Sequence, residues 1–194
     1  MFERDFKLVP FKKEAVMQMP KIPEWKGVAT EEIRVFFLEA SAETYAAGAA
    51  KLTVPQLPGS KVLYYGSEHI GRTFSYVDCY FSSGRRSFGQ TVISVDRIAV
   101  WGMQYHGFWE SEDERVIPFL KRALLAAYSE KLFLGGRGPR VYRDRETERG
   151  LLYCNYPESD DFTNFKGHEE IVDDTNSATL SGFLFRHKYN GLLL

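Results

Sequence analysis

The chain holds a few side-chain groupings whose types and spacing could carry chemistry. His168-Glu169-Glu170 is the most metal-like. A zinc-binding helix of the metalloprotease kind needs two histidines four residues apart with a glutamate between them, and the second histidine is missing here. His187 lies further along and can be reached only if the fold brings a neighbouring strand alongside. Strand alternation puts His168 and Glu170 on one face and Glu169 on the other, which scatters the ligands, so the bland reading is a solvated, charged strand. Asp78 stands between Tyr76 and Tyr80. If that face is covered, the carboxyl sits among aromatic rings, its proton affinity rises, and it can serve as an acid/base or as a polar anchor for a ligand. If the face is open, it is a solvated Tyr-Asp-Tyr face and nothing more.

Three further groupings are weaker. Gly135-Gly136-Arg137-Gly138-Pro139-Arg140 has the composition of an anion-binding loop. A phosphate loop follows a strand and opens a helix, whereas this stretch follows a helix and leads into a strand, so glycine capping of a helix end is the simpler reading. Cys79 and Cys154 have no nearby cation or Cys-x-x-Cys partner and read as small apolar residues. No Gly-x-Ser-x-Gly elbow is present, and Ser181-Gly182 lacks the first glycine. Trp101, Met103, Tyr105 and Trp109 suit the wall of an apolar pocket and suit a core strand equally well.

The elements that must position these residues can be read from periodicity. Residues 1–29 hold Pro10, Pro20 and Pro23 and no persistent period, so they read as an arm too short for a helix-turn-helix module. Thr30-Glu31-Glu32 opens a helix with Thr30 as cap, and Ile33, Phe36, Phe37, Ala40 and Thr44 give its apolar face, with Gly48 as the stop. Strands follow over Val62–Tyr65, Thr73–Phe81, Phe88–Val95 and Ile98–Tyr105, with a turn at Ser82-Ser83-Gly84. Ser111 to Glu114 spells a capping box ahead of Val116, Phe119, Leu120, Ala123, Leu124, Ala127 and Tyr128 at helical spacing, and Gly135-Gly136 closes that element. A second strand series covers Arg140–Asp144, Leu151–Tyr156, Phe165–Asp173 and Ser181–Tyr189.

The two passes share an order and share residues. Phe37-Leu38, Tyr76-x-Asp78, Phe88-Gly89 and Tyr105-His106-Gly107 answer to Phe119-Leu120, Tyr153-x-Asn155, Phe165-Lys166-Gly167 and Tyr189-Asn190-Gly191. Tyr76 to Gly89 is 13 residues and Tyr153 to Gly167 is 14; the later interval is longer in the second half, with the excess in polar Asp173–Ser177. The fold expected is α+β: two internally duplicated α-β-β-β-β units with mostly antiparallel sheet, an arm over 1–29, repeats over 30–110 and 111–194, and one compact domain. Two such units either stack their faces or join edge to edge, and the seam makes a cleft.

Composition narrows the class. The 194 residues carry 25 Lys+Arg and 26 Asp+Glu, a net charge of −1, which argues against a sequence-independent grip on nucleic acid. No apolar run reaches the ~20 residues of a membrane helix, the N-terminus is too charged for a signal peptide, and two cysteines favour a reducing cytoplasm. Aromatic residues make up 15%, enough to line a pocket as well as a core.

The ordered series Phe37-Leu38-x-Ala40 with Thr44-Tyr45-Ala46, Tyr76-x-Asp78-x-Tyr80, Phe88-Gly89-Gln90, Trp101-x-Met103-x-Tyr105-x-Gly107, Gly138-Pro139 and Phe165-x-Gly167-x-Glu169 resembles an uncharacterised bacterial domain-of-unknown-function family (DUF5680-like), sometimes fused to helix-turn-helix regulators. The resemblance runs from about Ile33 to Gly191 and implies no established activity. Thr91 stands where the second half has Glu169, so the acids are not paired.

Complete catalytic constellations are missing from these motifs, while aromatic faces and a seam are present. The function expected is a non-enzymatic small-molecule or protein-binding module, regulatory in character, with an aromatic pocket at the repeat junction. Its walls are expected to be Tyr76, Asp78, Tyr80, Trp101, Met103, Tyr105, Tyr153, Asn155 and Glu169, with Asp78 and Glu169 as polar anchors. The alternative is a small hydrolase or isomerase using Asp78 or Glu169 as general acid/base. A third reading is an aromatic surface that pairs two copies into a homo-oligomer. No cofactor, metal, nucleic acid or membrane is expected.

Overall fold

A computed structural model describes residues 28–69, 71–109, 113–144, 150–174 and 183–194. The expected arm over 1–29 and the Ser111 cap therefore lie largely or wholly outside the described residues.

Helix α1 spans Thr30–Ser41 and widens into a π-helical turn over Ala42–Ala46 before Gly48 turns the chain with φ +73°. Its cap differs from expectation. Thr30 is already helical, and the Glu32 carboxylate instead accepts from the Ala29 N–H at 2.7 Å. The apolar face is as read, with Ile33, Phe36, Phe37, Ala40 and Thr44 all buried. Four antiparallel strands follow: β1 (Ser60–His69), β2 (Arg72–Ser83), β3 (Arg86–Val95) and β4 (Ile98–Trp109). Helix α2 (Val116–Ser129) buries the seven residues expected of it. It stops well before the glycines, and Gly135 and Gly136 belong to a separate loop with positive φ. The remaining strands are β5 (Val141–Tyr142), β6 (Leu151–Ser159), β7 (Asn164–Asp173) and β8 (Phe183–Leu193). Most strands run further than alternation indicated, while the one expected over Arg140–Asp144 shrinks to the two residues of β5. β2 and β3 extend up to Gly84-Arg85, so Ser82 and Ser83 are strand and not turn.

All eight strands form one sheet in the order β1-β2-β3-β4-β8-β7-β6-β5, every neighbour antiparallel. Two meanders thus join edge to edge through β4 and β8, the last strand of each. Both helices pack on one face, where Phe37, Phe119, Leu120, Phe74, Ile93, Trp101, Phe165 and Phe185 share a continuous core. An open sheet of this kind buries one face and solvates the other, which is why Tyr76, Asp78 and Met103 are inside while Val77, Tyr156 and Phe88 are outside.

At the joint, Tyr105 of β4 lies directly opposite Tyr189 of β8. Each ring lies over a glycine of the next strand, Gly89 and Gly167, on which a Cβ would come within 2.6 and 2.5 Å of the respective tyrosine hydroxyl. The glycines shared by the two halves therefore have a steric cause: they make room for rings lying flat along the sheet.

Candidate functional site

A cavity of about 240 Å³ opens between the inner face of β1–β4 and the helical layer, and reaches β8 at the joint. That is slightly below the usual span for drug-sized ligands and suits a small metabolite. Of the nine residues expected to line a pocket, Tyr76, Asp78, Tyr80, Met103 and Tyr105 line this one. Strand alternation places them: they sit at every second position of β2 and β4 and so share the covered face.

Asp78 is the chemical centre of the first half. Only 3% of it is exposed, and its Oδ1 accepts from the Tyr105 hydroxyl at 2.8 Å and from Thr91 Oγ1 at 2.9 Å. Burial pushes its pKa above the ordinary carboxylate value, against the pull of those two donors and of the Arg137 charge. Burial likewise raises Tyr105 strongly and Tyr80 to about 12, so both phenols are protonated donors at neutral pH.

The other four expected residues do not line the cavity. Trp101 is fully buried core, stacked on Phe162 and Phe165 with ring centroids 5.2 and 5.4 Å apart. Tyr153, Asn155 and Glu169 form a second buried polar cluster behind β8. The Tyr153 hydroxyl accepts from Gly138 N–H at 2.9 Å and donates to Glu169 Oε2 at 2.7 Å. Asn155 donates to the carbonyls of Leu134 and Gly138, both at 2.8 Å, and accepts from the Tyr189 hydroxyl at 2.7 Å. The cluster clamps the 134–138 loop onto the sheet.

That loop delivers Arg137, which sequence reasoning passed over as part of a glycine-rich helix end. Arg137 is 6% exposed; its Nε donates to Glu169 Oε1 at 2.9 Å, and its Nη2 contacts the same oxygen. The guanidinium also lies 5.5 Å from the Tyr105 ring centre and forms part of the cavity wall. Glu169 is thus no solvated strand residue. Burial works to raise its pKa, but Arg137 and His187 outweigh burial and hold it at about 2, so it is ionised at any ordinary pH. The parity argument did put Glu169 opposite His168, and the stack of His168 on Tyr156 at 4.8 Å lies on the outer side. Among the described residues no group of three His, Cys, Asp or Glu side chains is arranged to hold a metal.

Three lysines complete the cavity. Lys61 donates to Ser82 Oγ at 2.6 Å beside the Tyr80 ring. Lys121 lies 5.3 Å from the Tyr45 ring centre, and burial together with the nearby Lys51 charge lowers its pKa. Among the described residues no carboxylate pairs with Lys51 or Lys121. Sequence reading missed both, because two lysines 70 residues apart give no local signal. Cys154 is buried and Cys79 partly so, and both are free thiols.

No described helix is long and apolar enough to cross a membrane. A family model described as a domain of unknown function (DUF5680) matches residues 78–184, from Asp78 on β2 into β8 and more than half of the chain. No curated protein and no solved structure matches the chain.

Proposed function

The chain belongs to the DUF5680 family, a domain of unknown function, and from that footing we propose that it binds a small molecule with an anionic group in the cavity over Asp78. The observation that carries this reading is the pair of lysines, Lys51 and Lys121, which line the same tyrosine-rich cavity with no carboxylate ion-paired to either among the described residues. Two like charges brought together in the free protein favour an anion that bridges them. The apolar body of such a ligand has Tyr76, Met103 and Trp109 to lie against. A hydroxyl or amine at its far end has the Asp78 carboxyl and the Tyr80 hydroxyl as partners.

The cavity meets β8 at the joint between the two meanders, which supports the idea that the halves are copies of one α-β-β-β-β unit. Tyr105 on Asp78 and Tyr189 on Asn155 are then equivalent bonds, and the copies have diverged: one kept an acid facing a cavity, while the other became the clamp for the Arg137 loop. Two free cysteines fit a reducing cytoplasm, and a regulatory role by ligand binding fits a chain whose charge balance gives it no general hold on nucleic acid.

The test is a thermal-shift titration with 4-hydroxybenzoate and phenyl phosphate, which place an acid at one end of an aromatic ring. Saturation at ten times Kd stabilises the native state by about 1.4 kcal/mol, a rise of ~3–5 °C for a chain of this size. The rise is expected in the wild type and absent in the Lys51→Glu, Lys121→Glu double variant. A wild-type midpoint that stays flat with both compounds contradicts the proposal.

A further inference from the structure

Ser87, Gly107, His187 and Glu169 are successive register partners across β3, β4, β8 and β7. Ser87 and His187 are two strands apart, about 10 Å along the hydrogen-bonding direction, yet Ser87 Oγ and His187 Nε2 are 2.9 Å from each other. Gly107 permits this. A Cβ there would stand 2.5 Å from His187 Cδ2, so the imidazole lies across β4 in the space a side chain would take. On the other side of the ring, Nδ1 points toward Glu169 Oε1 at 3.6 Å, just outside hydrogen-bond reach, and has no hydrogen-bond partner among the described residues. A ring proton on Nδ1 then faces the carboxylate, and Nε2 is left as the acceptor for the serine hydroxyl. Ser87 and His187 both line the cavity, while Glu169 sits behind them.

We propose that Ser87, His187 and Glu169 act as nucleophile, general base and orienting acid, and that the chain hydrolyses a small carboxylic ester held in the cavity; this rests on the cavity being a ligand site. Ser87 Oγ attacks the acyl carbon, and its proton passes to His187 Nε2. The bond from that carbon to the alcohol oxygen breaks, and the departing alcohol takes the proton from His187. Water then adds to the acyl carbon and gives a proton to His187. The Oγ–carbon bond breaks, the acid leaves, and Ser87 recovers its proton. Ester and water become acid and alcohol, with no other reactant. Ser82 is the register partner of Ser87 and holds the Lys61 ammonium, which puts positive charge beside the carbonyl oxygen as it becomes negative. A strand serine on a sheet face has no nucleophile elbow, so no Gly-x-Ser-x-Gly signature marks it.

The experiment is labelling of the full chain with an ethyl fluorophosphonate probe, read by intact-mass and peptide-mapping spectrometry, beside release of 4-nitrophenol from 4-nitrophenyl acetate. In labelling, the Oγ–phosphorus bond forms, the phosphorus–fluorine bond breaks, and the serine proton passes to His187. The expected result is a single adduct mapped to Ser87, absent in Ser87→Ala, with His187→Gln labelling slower by about 100-fold or more. Ester turnover should fall by about the same factor in Ser87→Ala. That variant should keep its melting midpoint within ~1–2 °C, since it loses one hydroxyl at a partly open position. An unlabelled wild type, an adduct on another residue, or ester turnover undiminished in Ser87→Ala overturns the proposal. A 4-hydroxybenzoate shift without labelling leaves the binding reading standing and the hydrolase reading refuted.

Discussion

Tyr105 and Tyr189 face each other across the central strand pair, and each hydroxyl reaches a polar side chain of its own meander: Tyr105 to Asp78 at 2.8 Å, Tyr189 to Asn155 at 2.7 Å. One bond ends on a carboxylate facing a cavity, the other on an amide that holds a loop. The difference is a single functional group, and it has a measurable cost.

Burial raises the Asp78 pKa above its unfolded value, so the ionised group opposes folding at neutral pH, and this penalty fades as the pH falls and the carboxyl is protonated. Asn at this position still accepts from Tyr105, as Asn155 does from Tyr189. Asp78→Asn is expected to gain about 1 kcal/mol, a midpoint ~2–4 °C higher at pH 7, with a smaller gain at pH 4. Calorimetry at the two pH values checks this. A lower midpoint at pH 7 contradicts it.

Arg137 and Glu169 are a buried pair, and removing one partner strands the other. Arg137→Ala leaves the Glu169 carboxylate with the Tyr153 hydroxyl and the His187 ring as its near partners and is expected to cost about 3–5 kcal/mol. The 134–138 loop keeps its ties to Tyr128, Tyr153 and Asn155 and loses only the one through Arg137. Urea unfolding measures the loss, and a cost under about 1 kcal/mol would show the pair to be incidental.

Acid should unfold the chain in two stages. The His187 pKa is lowered, mainly by burial, with Arg137 and His106 adding and Glu169 opposing. Its neutral form is therefore the folded one, and stability declines as the pH falls below about 6.5. Glu169, held at about 2, adds stability that is complete above pH ~4.5 and disappears as the pH falls toward 2. Denaturant midpoints between pH 8 and pH 3 should decline with both steps, and Glu169→Gln should lack the second.

The same lowered pKa sets the profile of the proposed nucleophile. The groups around the His187 ring are Ser87 on β3, Tyr105 and His106 on β4, Phe185 on β8, Glu169 on β7 and Arg137 from the loop. Since the base works in its neutral form and its folded-state pKa lies below the ordinary value, fluorophosphonate labelling should rise with pH in the acid range, level off before about 6.5 and stay flat above it. A rate still climbing at pH 9 would assign the base role to another group.

How far the sequence reached depended on the range of the interaction. Helix faces and strand parity are local, so the buried faces of α1 and α2 were legible residue by residue, as was the sharing of one face by Tyr76 and Asp78 and by Met103 and Tyr105; that the helices cover that face was not. The paired Tyr, Gly and Asp/Asn positions marked both meanders, and the β4–β8 joint was one of two arrangements open to them. What stayed hidden was set by contacts across the sheet. Tyr153, Asn155 and Glu169 have the right parity but lie beyond the joint, where the Arg137 loop covers them. Arg137 looked like part of a cap because its partner is 32 residues away. Ser87 and His187, 100 residues apart, meet only because Gly107 clears the strand between them.

The most direct test of the account is isothermal titration of 4-hydroxybenzoate into the wild type and into the Lys51→Glu, Lys121→Glu variant at pH 7. The account predicts saturable binding at one site per chain in the wild type, weakened about 10-fold or more by the charge reversal. Equal affinity in the two proteins, or no heat of binding in the wild type, would contradict it.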